Sequence, residues 1–71
     1  MYYVGIDVGG MSIKAGIIDE NGKILANDFI VTEPEKPSDE IVEDIARLIE
    51  DIVRGYGITL GDLSGIGMGF P

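Results

Sequence analysis

Ile6-Asp7-Val8-Gly9-Gly10-Met11-Ser12-Ile13-Lys14 is the stretch from which the rest of the chain is read. Val4, Ile6 and Val8 alternate with Tyr3, Gly5 and Asp7, which predicts a strand from about Tyr2 to Val8 with one apolar face and Asp7 near its end. Ser12 to Ile18 resumes the period of two, so Gly9 and Gly10 form the tip of a hairpin. Glycine admits dihedrals closed to other residues and leaves main-chain N–H groups bare. Two readings stand side by side. In one, those amides meet the oxygens of a polyphosphate while Asp7 holds its Mg²⁺ directly or through water. In the other, the glycines are hairpin punctuation and Asp7 is a turn former.

Two better-known phosphate motifs are excluded. The dinucleotide fingerprint needs three spaced glycines opening a helix, whereas Ile13, Ala15 and Ile17 continue as a strand. No Gly-Lys-Ser/Thr follows the glycines, and Ser12 precedes Lys14, the reverse of the P-loop order. Seventy-one residues form one compact unit at most. A hydrophobic fraction of 45% belongs to a globular core and argues against disorder. Without cysteine there are no disulfides or thiolate sites, and without histidine no imidazole base or zinc ligand. Thirteen acids against five bases give a net charge of −8. That balance disfavours a nucleic-acid partner, but not a nucleotide held by amides and Mg²⁺. Nothing near Met1 reads as a targeting signal, and no apolar run has membrane-spanning length; a cytoplasmic setting without a membrane partner is expected.

Beyond the second strand, Asn21-Gly22 predicts a two-residue type I′ turn. A third strand is expected over Ile24 to Val31, with Ile24, Ala26 and Asp28 on one face and Leu25, Asn27 and Phe29 on the other. Its mixed faces mark a sheet edge, and Asn27 and Asp28 read as solvated. A polar connection, Thr32 to Asp39, contains Pro34 and Pro37. Ser38 is the expected N-cap, followed by Asp39 and Glu40 in the first turn. Ile41, Ile45, Leu48, Ile49 and Ile52 then predict an amphipathic helix of about sixteen residues ending near Arg54. Glu43 with Arg47 and Glu50 with Arg54 have the favourable four-residue spacing, and Gly55 suits the C′ position. Asp62 or Ser64 leads into Ile66, Met68 and Phe70, which alternate with Gly65, Gly67 and Gly69 and leave one face bare. One helix leaves half of an apolar sheet uncovered, so the chain reads as a piece of a larger domain whose open surface is expected to associate.

IDVGGMSIKAGIIDENGKIL (6–25), the polar link, the acidic amphipathic helix and GIGMGFP (65–71) together resemble the N-terminal start of the ROK family of glucokinase-like sugar kinases and related repressors. The resemblance implies an α/β fold of the ribonuclease-H-like (actin-like ATPase) class in the order β-β-β-α-β. Three antiparallel strands would lead through a crossover helix to a fourth strand parallel to the first. Residues 1–71 would be part of the N-terminal ATPase-like lobe of a larger protein. That protein would transfer the γ-phosphoryl group of ATP, with Mg²⁺, to a hexose such as glucose, and a homo-oligomer is expected. Asp7 would hold the metal, and Asp7, Gly9, Gly10, Met11, Ser12 and Lys14 would form the nucleotide site. Met11 stands where the family has Thr, and a thioether cannot donate to a phosphate oxygen as a hydroxyl does. Ser12 carries a hydroxyl but, one residue along, is expected to point the other way. The catalytic base and sugar pocket are implied to follow Pro71, so the segment alone is expected to be inactive. Alternatives are a sugar-responsive repressor, disfavoured because its DNA-binding module would precede Asp7, and a noncatalytic phosphate-binding module.

Overall fold

Period-two patterning carries the chain through its first three strands: β1 (Tyr2–Val8), β2 (Ser12–Asp19) and β3 (Ile24–Val31). The computed structural model describes residues 1–33 and 35–69. Helix α1 (Ser38–Tyr56) and a short 3₁₀ turn (Leu60–Asp62) lead into β4 (Leu63–Gly69). The strand order is β3-β2-β1-β4, with β1, β2 and β3 antiparallel and β4 parallel to β1. This is the expected β-β-β-α-β arrangement. The expected strand position of Phe70, along with Pro71 and the Pro34 of the polar connection, lies outside the described residues.

Burial follows the parity of the strands. Val4, Ile6, Ile13, Ala15 and Ile17 are buried on one sheet face against Ile45, Leu48, Ile49, Ile52 and Val53 of α1. Ile13 and Ile17 are fully enclosed, so truncating either to alanine should cost about 2 to 5 kcal/mol through lost transfer energy and a residual cavity. The helix lies over β2 and β3. Register with Val4 and Ile6 puts Ile66 and Met68 of β4 on this same side, yet they remain 54% and 47% exposed because α1 does not reach them.

Several local expectations are corrected. Asn21 lacks the positive φ a type I′ turn demands; only Gly22, at 82°, has it. The Gly22 N–H donates to the Asp19 carbonyl (3.1 Å) and the Asp19 N–H to that of Lys23 (3.0 Å), which closes a three-residue loop ending in a left-handed glycine. The Asp19 carboxylate fixes this loop by accepting from the Asn21 and Lys23 amides, each at 2.9 Å. In β3, a register shift pairs Ile18 with Ile24 but Ile17 with Ala26. Leu25 is the extra residue of this bulge, so Ile24 and Ala26 fall on opposite faces, contrary to simple alternation.

Helix α1 is longer than expected at its C-terminal end. Ser38 is its first residue and Pro37 its N-cap, with no side-chain capping bond. The Pro37 carbonyl accepts from the Glu40 and Ile41 amides. Gly55 is helical; the left-handed terminator is Gly57, at φ 93°, whose N–H reaches the carbonyls of Val53 and Arg54. Neither expected i,i+4 ion pair is among those formed by the described residues; Arg54 pairs with Asp51 at 3.1 Å, a solvated contact of little energetic weight. Lys36 reaches back to Asp44 at 2.6 Å and ties the connecting loop to the helix. That hydrogen bond holds the Lys36 ammonium above the usual lysine range.

Candidate functional site

At the end of β1 the chain turns through Gly9, Gly10 and Met11, and two main-chain hydrogen bonds hold the turn. The Gly9 N–H donates to the Ser12 carbonyl at 2.8 Å, and the Thr32 N–H, from just past β3, donates to the Met11 carbonyl at 2.9 Å. Gly9 therefore does not offer a bare amide, contrary to the expectation from sequence. Among the described residues, the Gly10 and Met11 amides donate to no protein acceptor. Two successive donors are thus left at the tip, the kind of concavity that receives anions.

The glycines also differ in why they are glycine. Neither has a positive φ, so the expected special dihedrals are not used. A Cβ on Gly9 would lie 3.2 Å from the Ser12 carbonyl oxygen, a tight approach to rigid backbone. A Cβ on Gly10 would meet nothing within 4 Å. Gly9 is required by the hairpin itself; the protein's own atoms give no reason for Gly10.

Side chains converge from the open sheet face. Asp7 and Lys14 are exposed and stand opposite each other in the β1–β2 register, yet no ion pair among the described residues joins them. Ser12 shares the parity of Lys14, since the intervening Ile13 is buried on the helix side. The structure therefore brings Asp7, Ser12 and Lys14 to one face beside the tip, while the Met11 side chain is 70% exposed. No group of three or more metal-ligating side chains occurs among the described residues, and Asp28 is a second carboxylate, lining a concavity of the open face.

A second feature was not foreseen from the sequence. Gly67, Gly5 and Gly16 are neighbours in register and form one row across β4, β1 and β2. They floor a concavity of about 600 Å³ on the open face, with Asp7 and Lys14 toward one end and Ile18 and Ile24 toward the other. The signal available was period-two glycine in two separate stretches, but alignment of those glycines depends on long-range register.

The sequence pattern of the ROK family matches residues 3–71, which includes the whole hairpin, the helix and β4. The chain belongs to the ROK family. This ROK segment is 34% identical over 70 residues to a glucokinase of Halalkalibacterium halodurans, covering 99% of the segment and 21% of that protein. It is 36% identical over 75 residues to a probable L-xylulose kinase of Haemophilus influenzae, covering 94% of the segment and 16% of that protein. In three dimensions it superposes on a ROK glucokinase from Streptomyces griseus, solved with glucose and AMPPNP, with a TM-score of 0.81 at 30% identity, covering 99% of the segment and 20% of that chain. The ROK segment thus spans about a fifth of the curated glucokinase it matches.

Proposed function

We propose that this segment is the phosphate-binding corner of a sugar kinase, in the N-terminal part of a ribonuclease-H-like, actin-like ATPase lobe. The observation that carries this reading is the unengaged pair of amides at Gly10 and Met11, set beside Asp7, Ser12 and Lys14 at the end of β1 in a ROK segment. The donor set suits a polyphosphate. Two adjacent amides and a lysine meet phosphate oxygens, Ser12 adds a hydroxyl from the same face, and Asp7 is an acceptor-only group. Asp7 would hold Mg²⁺, which supplies charge neutralisation to a transferring phosphoryl group. One carboxylate is a suitable protein share for such a site, because Mg²⁺ keeps several waters and takes further oxygens from the nucleotide. Gly9 acts through shape, by closing the hairpin that presents the amides. Met11 contributes its amide and not its side chain.

On this reading the parent protein phosphorylates a hexose such as glucose, using ATP, and the segment alone is inactive because it carries neither a candidate base nor a sugar pocket. Glucose is favoured by the glucokinase relatives named above. The experiment is steady-state phosphoryl transfer from ATP·Mg²⁺ to a set of hexoses by a full-length ROK protein carrying this segment. Turnover is expected with at least one hexose, and Asp7→Asn should lower it about tenfold or more, the scale of one charged interaction. A folded protein that binds ATP·Mg²⁺ but phosphorylates none of them would establish the noncatalytic module instead.

A further inference from the structure

We infer that Thr32, outside the hairpin motif, is a positioning residue for the phosphate loop, a role that rests on the phosphate-binding reading above. Thr32 is the one buried polar residue among those described, at 8% exposure, and it follows a β3 residue, Val31, that is 76% exposed. Its N–H continues the β2–β3 ladder one step beyond the strands and takes the Met11 carbonyl at 2.9 Å. A peptide unit is planar, so fixing that carbonyl fixes the whole Met11–Ser12 peptide plane.

The consequence reaches both sides of the tip. On the β1 side the loop is held by Gly9 to Ser12; on the β3 side it is held by Thr32 to Met11. Between these anchors lie the Gly10 and Met11 amides, kept free of internal acceptors. Without the Thr32 bond the loop keeps only the anchor within its own hairpin, and the Gly10–Met11 tip would sample many orientations. Burial of Thr32 makes the anchor firm, since a main-chain donor shielded from water gives up its partner only at the cost of an unmet hydrogen bond. Thr32 does not touch the ligand in this account; it acts through Met11.

The test replaces Thr32 by the corresponding α-hydroxy acid, which removes the N–H and leaves the side chain, an exchange that a 71-residue chain permits by chemical synthesis. Thr32→Val, which keeps the N–H and the buried shape, is the companion. The readouts are ¹⁵N relaxation of the Gly10 and Met11 amides and binding of Mg²⁺-tripolyphosphate. The expected result is that the ester alone makes both amides mobile while core amides such as that of Ile17 stay rigid, and weakens tripolyphosphate binding by about three- to tenfold, the span of one neutral hydrogen bond. Thr32→Val should behave as wild type in both. Equal rigidity of the tip in the ester and the wild type would overturn the positioning role. Absence of tripolyphosphate binding by the folded wild-type chain would instead overturn the phosphate reading and, with it, the purpose assigned to the anchor. Should the ester fail to fold, Thr32→Pro, which also lacks the N–H, takes its place under the same criteria.

Discussion

Alanine at Gly10 and alanine at Gly9 should have opposite effects, and the contrast tests whether the tip is built for a ligand. At Gly10 the added methyl meets no atom within 4 Å and the backbone is not left-handed. The folded state loses nothing, the unfolded chain loses freedom, and stability should rise by about 0.4 to 1 kcal/mol. At Gly9 the methyl lies 3.2 Å from the Ser12 carbonyl oxygen, which is held by the closing hydrogen bond of the hairpin and cannot swing aside. Overpacking of that kind costs about 1 to 3 kcal/mol. The two variants should therefore melt at least about 5 °C apart, given the usual 4 to 8 °C per kcal/mol for chains of this size. Nucleotide binding should rank them differently. In a full-length ROK protein carrying this segment, Gly10→Ala should weaken ATP·Mg²⁺ by about tenfold by crowding the phosphate, while Lys23→Ala, at the remote hairpin, should leave affinity unchanged. Thermal melts of the 71-residue chain and titration calorimetry of the full-length parent decide it. A Gly10→Ala protein that melts below Gly9→Ala, or that binds nucleotide as wild type does, would refute the argument.

Met11→Thr in the same parent should raise turnover with ATP, by up to about tenfold for each 1.4 kcal/mol recovered, and Met11→Leu should not; combining each with Ser12→Ala shows by steady-state kinetics whether Ser12 already supplies the hydroxyl. Gly57→Ala should lower the melting free energy by about 1 kcal/mol through its φ of 93°, whereas Gly55→Ala, inside the helix, should raise it by a similar amount. The contribution of Lys36 is set by a folded-state pKa raised through its hydrogen bond to Asp44. It is therefore fully present below the usual lysine value and lost as pH rises through the folded value, so denaturant midpoints of wild type and Lys36→Met should differ at neutral pH and converge only as pH rises above the usual lysine value of about 10.4.

The strands and the helix were legible because their signals are local. Alternation at Val4, Ile6, Ile13, Ala15 and Ile17, and the apolar stripe from Ile45 to Val53, describe the two buried surfaces directly. Partnering was less accessible. Parallel pairing of β4 with β1 came from family resemblance, and the bulge at Leu25 depends on how Ile17 and Ile18 choose partners across the sheet. Ends of elements were misplaced for a physical reason too: Gly55 and Gly57 are both credible terminators, and only the carbonyls left over by the last turn select Gly57. At the candidate site, residue type nominated Asp7, Ser12 and Lys14, and the structure brings them to one face. Which glycine amide is engaged was not legible, because that depends on hydrogen bonds closed by Ser12 and Thr32.

The chain's charge makes the location of the candidate site more informative. With a net charge of −8, most of the surface repels a polyphosphate. Many of the acids lie elsewhere: Glu43, Asp44, Glu50 and Asp51 belong to α1, across the sheet from the open face, and Asp19 and Glu20 belong to the far hairpin, while Asp28 lines the same concavity as Asp7 and Lys14 and Glu33 follows Thr32 beside the tip. Asp19 is engaged by two loop amides, Glu20 by the N-terminal ammonium and Asp44 by Lys36. At the β1 tip Asp7 and Lys14 stand beside the Gly10 and Met11 amides, and none of these is engaged by a hydrogen bond or ion pair among the described residues. Fields decay over about 8 to 10 Å at ordinary ionic strength, so this local balance governs an arriving anion more than the distant acids do. A metal-bearing polyphosphate suits that balance better than a bare anion, since it offers positive charge to Asp7 and oxygens to the amides and Lys14.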